Sequence, residues 1–268
     1  MSQAFASRVE ITLNAARLGF AEYRSQYTLR SWFFGWGLRL IFQVAFFATI
    51  GTVVGDRDTV RYLAVGNIVA VGTIEATSSV LSLVRDRRNG TLELLVSAPG
   101  DAVTALLSRS LNNPFSGFAS SMVVLVFIVP IFGIRLPGAA AVAIAPIVLL
   151  ACVSAYCYGA FIGAVTMRFP NAGWGALNVA YLILMAFSGI NVPLSYWPAP
   201  VAAVAELLPV THGLSALRGL LDGAPTGWVC AQLAAEAAVA AGWLAAAALL
   251  LSVLIRRGRR TGGLDGVR

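Results

Sequence analysis

Lysine is absent from the 268 residues, histidine occurs once, at His212, and cysteine three times, at Cys152, Cys157 and Cys230. A lone histidine supports neither a zinc cluster nor a Ser/His/Asp triad. The cysteines lie in or beside apolar runs with no CxxC spacing, so neither a metal site nor a disulfide framework is expected, and they read as small packing residues. Neither a GxxxxGK[ST] phosphate loop nor a Gly-rich dinucleotide turn is present, which excludes the familiar nucleotide sites. The N-terminus is polar with mixed charges, so no cleavable leader is expected and the first span is expected to act as the insertion signal. Charge is scarce as well. Asp, Glu, Lys and Arg make up 12 % of the chain and hydrophobic residues 58 %, with a mean hydropathy of +0.79, where a soluble domain carries about 25 % charged residues. A single soluble core of this size cannot bury that apolar excess, so the solvent is lipid.

What charge there is has a pattern. The net charge of +7 is carried by arginines that fall in short clusters between apolar runs, so nucleic acid is not expected as a partner. A bilayer core takes ~20 apolar residues per helix, and that criterion predicts six spans at 35–54, 60–83, 106–133, 140–166, 174–191 and 227–255. Counting arginines on the two sides of such a topology gives 15 against 4. The positive-inside rule then places both termini in the cytoplasm.

Ahead of the first span, Val9, Leu13, Ala16, Phe20, Tyr23 and Tyr27 recur in steps of four and three, one stripe of a helix rimmed by Arg17 and Arg24. This predicts an interfacial amphipathic helix over 7–31, with Trp32, Phe33, Phe34 and Trp36 as aromatic anchors at the turn into the bilayer. Between the last two spans, 192–226 is apolar but interrupted by Pro193, Pro198, Pro200, Pro209 and Pro225. Its helical pieces, 201–208 and 211–222, are too short to span, which predicts an extracellular re-entrant hairpin whose backbone is covered by protein. His212 reads as a polar residue at its turn. The fold class expected is an all-α integral membrane protein forming a single domain over 1–268.

The loop between the second and third spans reads Arg85-Asp86-Arg87-Arg88-Asn89-Gly90-Thr91-Leu92-Glu93-Leu94-Leu95-Val96-Ser97-Ala98-Pro99. Gly90 can form a tight turn, Thr91 can cap the helix that follows, and the short amphipathic piece ends before Pro99. A knob of this kind, over 84–100, can seat in a groove on a soluble partner.

This segment resembles the coupling-helix signature of type-2 ATP-binding-cassette exporter permeases, approximately Glu-Arg-x-x-Gly-Thr-Leu-Glu-x-Leu-x-x-x-Pro. Asp86 replaces the first Glu, while Arg87, Gly90, Thr91, Leu92, Glu93, Leu95 and Pro99 match in register. Gly189, Pro193, Pro198, Leu208-Pro209, Thr211-His212, Ala216, Arg218 and Gly223 are similar to the family's weaker second signature. The chain looks closest to drug and lipid exporter permeases, and the missing lysine fits a GC-rich bacterial genome.

The resemblance implies a non-catalytic permease in a bacterial cytoplasmic membrane that exports an amphipathic, drug-like or lipid-linked substrate. It implies two copies of a cytoplasmic ATPase that bind ATP and Mg, no cofactor on this chain, and a second permease, identical or related. Asp86, Arg87, Arg88, Gly90, Thr91, Leu92, Glu93, Leu95 and Pro99 would couple to the ATPase, and substrate would enter near the first and fifth spans. A self-sufficient channel or proton-coupled carrier is the alternative, for which an ATPase-docking motif would have no purpose.

Polar residues inside the spans give a separate pointer, because ionisable groups at that depth cost at least ~2.5 kcal/mol unless paired or solvated. Glu75 is expected to face protein or water together with Ser79, through a hydrogen bond to Asn178 or Asn112 or in the translocation path. Glu236 is expected to anchor the hairpin by pairing with Arg218. Gly159 and Gly163 form a GxxxG step that permits close helix contact, read as packing within the chain.

Overall fold

The computed structural model describes residues 2–26, 28–97, 101–134, 138–169 and 171–261, and these are all-helical apart from turns. The chain opens with α1 (Ser2–Gln26) and a single turn α2 (Leu29–Trp32), then passes through a π-helical turn, Phe33–Gly37, into α3 (Leu38–Val54). Gly55, at φ +82°, reverses the chain, and Asp56 caps α4 (Arg57–Thr77) by accepting from the amides of Asp58 and Thr59, each at 3.1 Å. The Thr59 hydroxyl and those amides hold the exposed Asp56 carboxyl below its usual range.

α5 (Ser79–Arg88) prolongs α4, and α6 (Thr91–Ser97), α7 (Ala102–Arg109), α8 (Asn112–Ile131) and α9 (Gly138–Thr166) follow. The chain closes with α10 (Gly173–Phe187), a 3-10 turn Leu194–Tyr196, the short α11 (Ala199–Ala205) and α12 (Thr211–Leu221), and α13 (Thr226–Thr261).

Five stretches are long and apolar enough to cross a bilayer: Arg30–Val54, Arg57–Arg88, Ala102–Ile131, Val142–Thr166 and Thr226–Arg260. Hydropathy predicts a span over 174–191, yet α10 has 15 residues, about 22 Å at 1.5 Å per residue, against a ~30 Å hydrocarbon core. The apolar run continues past Phe187, but the backbone bends from Ser188 onward, with Gly189 at φ +77°. Hydropathy cannot see that bend.

The second stretch is the axis of the bundle. Its apolar window is 83 % buried, where that of α13 is 22 % and that of α3 28 %, so these two turn most of their surface outward. α4 crosses α8 at a pair of glycines: a Cβ on Gly117 would strike the Gly72 carbonyl, and one on Gly72 the Gly117 carbonyl at 2.8 Å. The GxxxG step of α9 does the same against the α4–α5 junction, packing within the chain as expected. A Cβ on Gly159 would lie 2.6 Å from the Thr77 carbonyl oxygen, and one on Gly163 would be 3.1 Å from Val80 Cα. We expect Gly159→Ile to lower stability by about 1–3 kcal/mol through overpacking against rigid backbone, read as thermal unfolding of the full chain in nanodiscs. Gly175→Ala, which meets nothing within 4 Å, is the neutral control. Equal unfolding temperatures for the two variants would refute the close crossing.

Cys152 and Cys157 are buried in the largest apolar cluster, with Val69, Val148 and Leu214, and all three cysteines are free thiols. α1 lies along α7 and contacts the start of α8. Its Ala15 and Gly19 pack inward, a Cβ on Gly19 colliding with the Arg109 carbonyl, while Val9, Leu13 and Phe20 of the apolar stripe stay exposed.

Candidate functional site: a helical knob, a cavity and a clamped hairpin

Asn89 and Gly90 close α5, their amides bonding back to the carbonyls of Arg85 and Arg87, and Gly90 sits at φ +71°, a conformation that glycine adopts without steric cost. α6 then folds back on α5 and touches α7 and α13. Leu92 is buried in a cluster with Leu83, Leu106, Met167 and Leu251, and Leu95 packs beside it. Leu94, one position off that face, is 74 % exposed, and Arg88 is exposed too. Thr91, the first residue of α6, is half-buried.

Charges fix the base of this knob. Asp86, buried, faces Arg109 at 3.4 Å; Arg109 also reaches Glu22 of α1 at 3.2 Å, and Arg85 reaches the same carboxylate at 3.7 Å. Arg87 donates to the Met167 carbonyl. Asp86 and Arg87 therefore hold the turn onto the bundle, while Leu94 and Arg88 face outward. Leu94 escaped the motif because the signature leaves its position open. The Glu93 side chain and Pro99 lie outside the described residues.

Above this network a cavity of about 300 Å³ opens between α1, α3, α4, α8 and α10, lined by Trp32, Trp36, Arg39, Glu75, Ser78, Ser82, Asn112, Trp174 and Asn178 among others. The π turn brings the indole of Trp36 inward, where its N–H donates to Glu75 Oε1 at 2.8 Å. The Ser120 hydroxyl donates to the same oxygen at 2.5 Å. The partners expected for Glu75, Asn178 or Asn112, are thus replaced by Trp36 and Ser120. Asn178 lines the cavity but donates to its own helix at Trp174, 2.8 Å away. Ser79 is not in the cavity. Its hydroxyl donates instead to the Tyr156 carbonyl of α9, 3.2 Å away.

At the far end of the bundle, Glu236 is fully buried and anchors the hairpin, but not through Arg218. Its two oxygens accept from the amides of Val210 at 2.7 Å and Gly213 at 2.9 Å, capping α12. The reason is local: the first amides of a helix have no partner within it, and their partial positive charge favours a carboxylate. Val210 holds φ +76°, rare for a β-branched residue. Gln232 and Trp243 of α13 add bonds to His212 at 2.8 Å and to the Leu207 carbonyl at 3.0 Å.

Arg218 does the complementary work on carbonyls. It donates to Gly189 at 2.7 Å, Tyr62 at 3.0 Å and Ile190 at 3.2 Å, with its guanidinium 3.4 Å from the centre of the Tyr62 ring. Gly189 and Ile190 lie just past the end of α10, and the Tyr62 hydroxyl donates to the same Gly189 carbonyl at 2.6 Å.

The family model for the ABC-2 type transporter matches residues 22–221, which takes in the knob, the cavity and the hairpin up to the last residue of α12. The chain belongs to the ABC-2 type transporter family. No curated protein matches it. As an ABC-2 membrane domain it is a multi-pass permease component.

Proposed function

We propose that this chain is the membrane subunit of an ATP-driven exporter in a bacterial cytoplasmic membrane, with both termini cytoplasmic and six crossings, the fifth completed by the bent stretch after α10. Two copies of a separate ATPase bind ATP and Mg, and a second permease, identical or related, completes the path. The cargo is amphipathic, drug-like or lipid-linked, and it enters from the membrane beside α3 and α10. The hairpin 192–226 is the outer gate.

The observation that carries this reading is the knob. A short helix rooted by Leu92 and by ion pairs at its base, yet presenting Leu94 outward, transmits force as a rigid body. A covered loop could not. The outward leucine is an apolar side chain that a groove on a partner can bury.

Leu94→Asp, at an exposed position, is expected to leave folding intact and lower co-purification of the ATPase by about tenfold or more. Gly90→Val forces a β-branched residue into the left-handed region at about 1–3 kcal/mol, and it is expected to uncouple ATP hydrolysis from transport while insertion persists. The readouts are mass spectrometry of the complex and substrate-stimulated hydrolysis. Parental values for both variants would reject the docking assignment.

A further inference from the structure

We infer that the inner cavity takes an amphiphile bearing an ammonium group, which Glu75 holds while Trp32, Trp36 and Trp174 cover the apolar body. The inference rests on reading the cavity as the cargo's place and names the chemistry that it selects.

The cavity's charges are unevenly satisfied. Arg109 is held between Glu22 and Asp86, and Arg85 reaches Glu22. Arg39 lies exposed over the Trp36 ring, 4.8 Å from its centre. Glu75 is 7 % exposed and has no ion-pair partner among the described residues. Its two hydrogen bonds, from Trp36 and Ser120, are from neutral donors and fall on one oxygen, Oε1; Oε2 has none. The Ser116 hydroxyl is nearby but donates to the Asn113 carbonyl at 3.1 Å.

A carboxylate at this depth with one oxygen unbonded is costly unless something supplies a charged donor. A primary or secondary ammonium does so, and rotation about the Cγ–Cδ bond brings either oxygen to it. The Trp36 indole, fixed by its bond to Glu75, sets an aromatic surface beside that point, which favours a cation further. About 300 Å³ is at the small end of pockets that hold drug-sized molecules, enough for a head group and the first part of an apolar body.

The test uses the full chain in phosphatidylcholine nanodiscs, titrated with dodecylamine, dodecanol and dodecyl phosphate, following tryptophan fluorescence against empty discs. The parent is expected to bind dodecylamine about tenfold or more tightly than dodecanol, and Glu75→Gln, which keeps an acceptor for Trp36 and Ser120, is expected to lose that preference. Dodecanol should bind both alike. Glu75→Asp, which keeps the charge, is expected to retain a preference and serves if the Gln variant does not fold. Equal binding of amine and alcohol by the parent overturns the inference, as does a preference for dodecyl phosphate or a preference that survives in Glu75→Gln. The assay contains no ATPase, so its failure with ATPase capture intact sinks only the cargo chemistry, whereas failed capture with amine binding intact sinks the exporter reading.

Discussion

Replacing Glu236 with Leu is expected to cost about 2–6 kcal/mol of stability, because two buried amides, each worth about 1–3 kcal/mol when left unpaired, lose their acceptors together. The amides are those of Val210 and Gly213. Neither has another acceptor within its helix, since both precede or open α12. The carboxylate also offsets the strain of Val210, whose φ of +76° would otherwise relax and carry α12 out of register with α13. Gln in its place keeps one acceptor oxygen and puts N–H donors against the second amide, so about half the loss is expected. Thermal unfolding of the full chain in nanodiscs reads both variants. Since the hairpin also covers α9, Gly213 lying over Ala151, the Leu variant should impair export as well as stability. An unfolding temperature and transport rate equal to the parent's would mean that the hairpin is held elsewhere.

Where the sequence was informative, it was because local chemistry decided the outcome. Gly90 reads as a turn and is one, since only local backbone geometry is at stake. The GxxxG step of α9 packs within the chain for the same reason: small residues at that spacing bring two backbones together wherever a partner helix passes.

What the sequence could not show are partners fixed by tertiary crossings. Glu75 is legible as a buried acid, but its donors, Trp36 and Ser120, are 39 and 45 residues away. They meet it only because α4 and α8 approach at Gly72 and Gly117 and a π turn rotates Trp36 inward. Glu236 is legible as a hairpin anchor. Charge matching points to Arg218, yet the amides at a helix start compete for the same carboxylate and carry no mark in the sequence. The early stop of α10 is hidden because Gly189 and Ile190 continue an apolar run.

Arg218 makes the second large expectation, and it separates two pictures of how α12 is held. If Arg218 and Glu236 were an ion pair, removing either would forfeit the same interaction, and the double variant would cost little more than the single ones. In the structure they share no partner. Arg218 bridges carbonyls of Gly189, Ile190 and Tyr62 and stacks on the Tyr62 ring, joining α12 to α4 and to the end of α10. Glu236 joins α12 to α13. Arg218→Met keeps much of the volume but takes this donor from the Ile190 carbonyl, leaves the Gly189 carbonyl with only the Tyr62 hydroxyl at 2.6 Å and removes a stacked cation, so a loss of about 2 kcal/mol or more is expected. Lys, a point donor on a flexible stem, cannot span the three acceptors as the planar guanidinium does, and it should recover only part. The double variant Glu236→Gln with Arg218→Met should lose the sum of the single losses within about 0.5 kcal/mol, as sites without a shared partner do. Chemical unfolding of the four proteins in nanodiscs closes the cycle. A coupling well above that margin would restore the ion pair, and additivity would leave α12 pinned at two independent points, the carbonyl clamp at the end of α10 and the amide cap on α13.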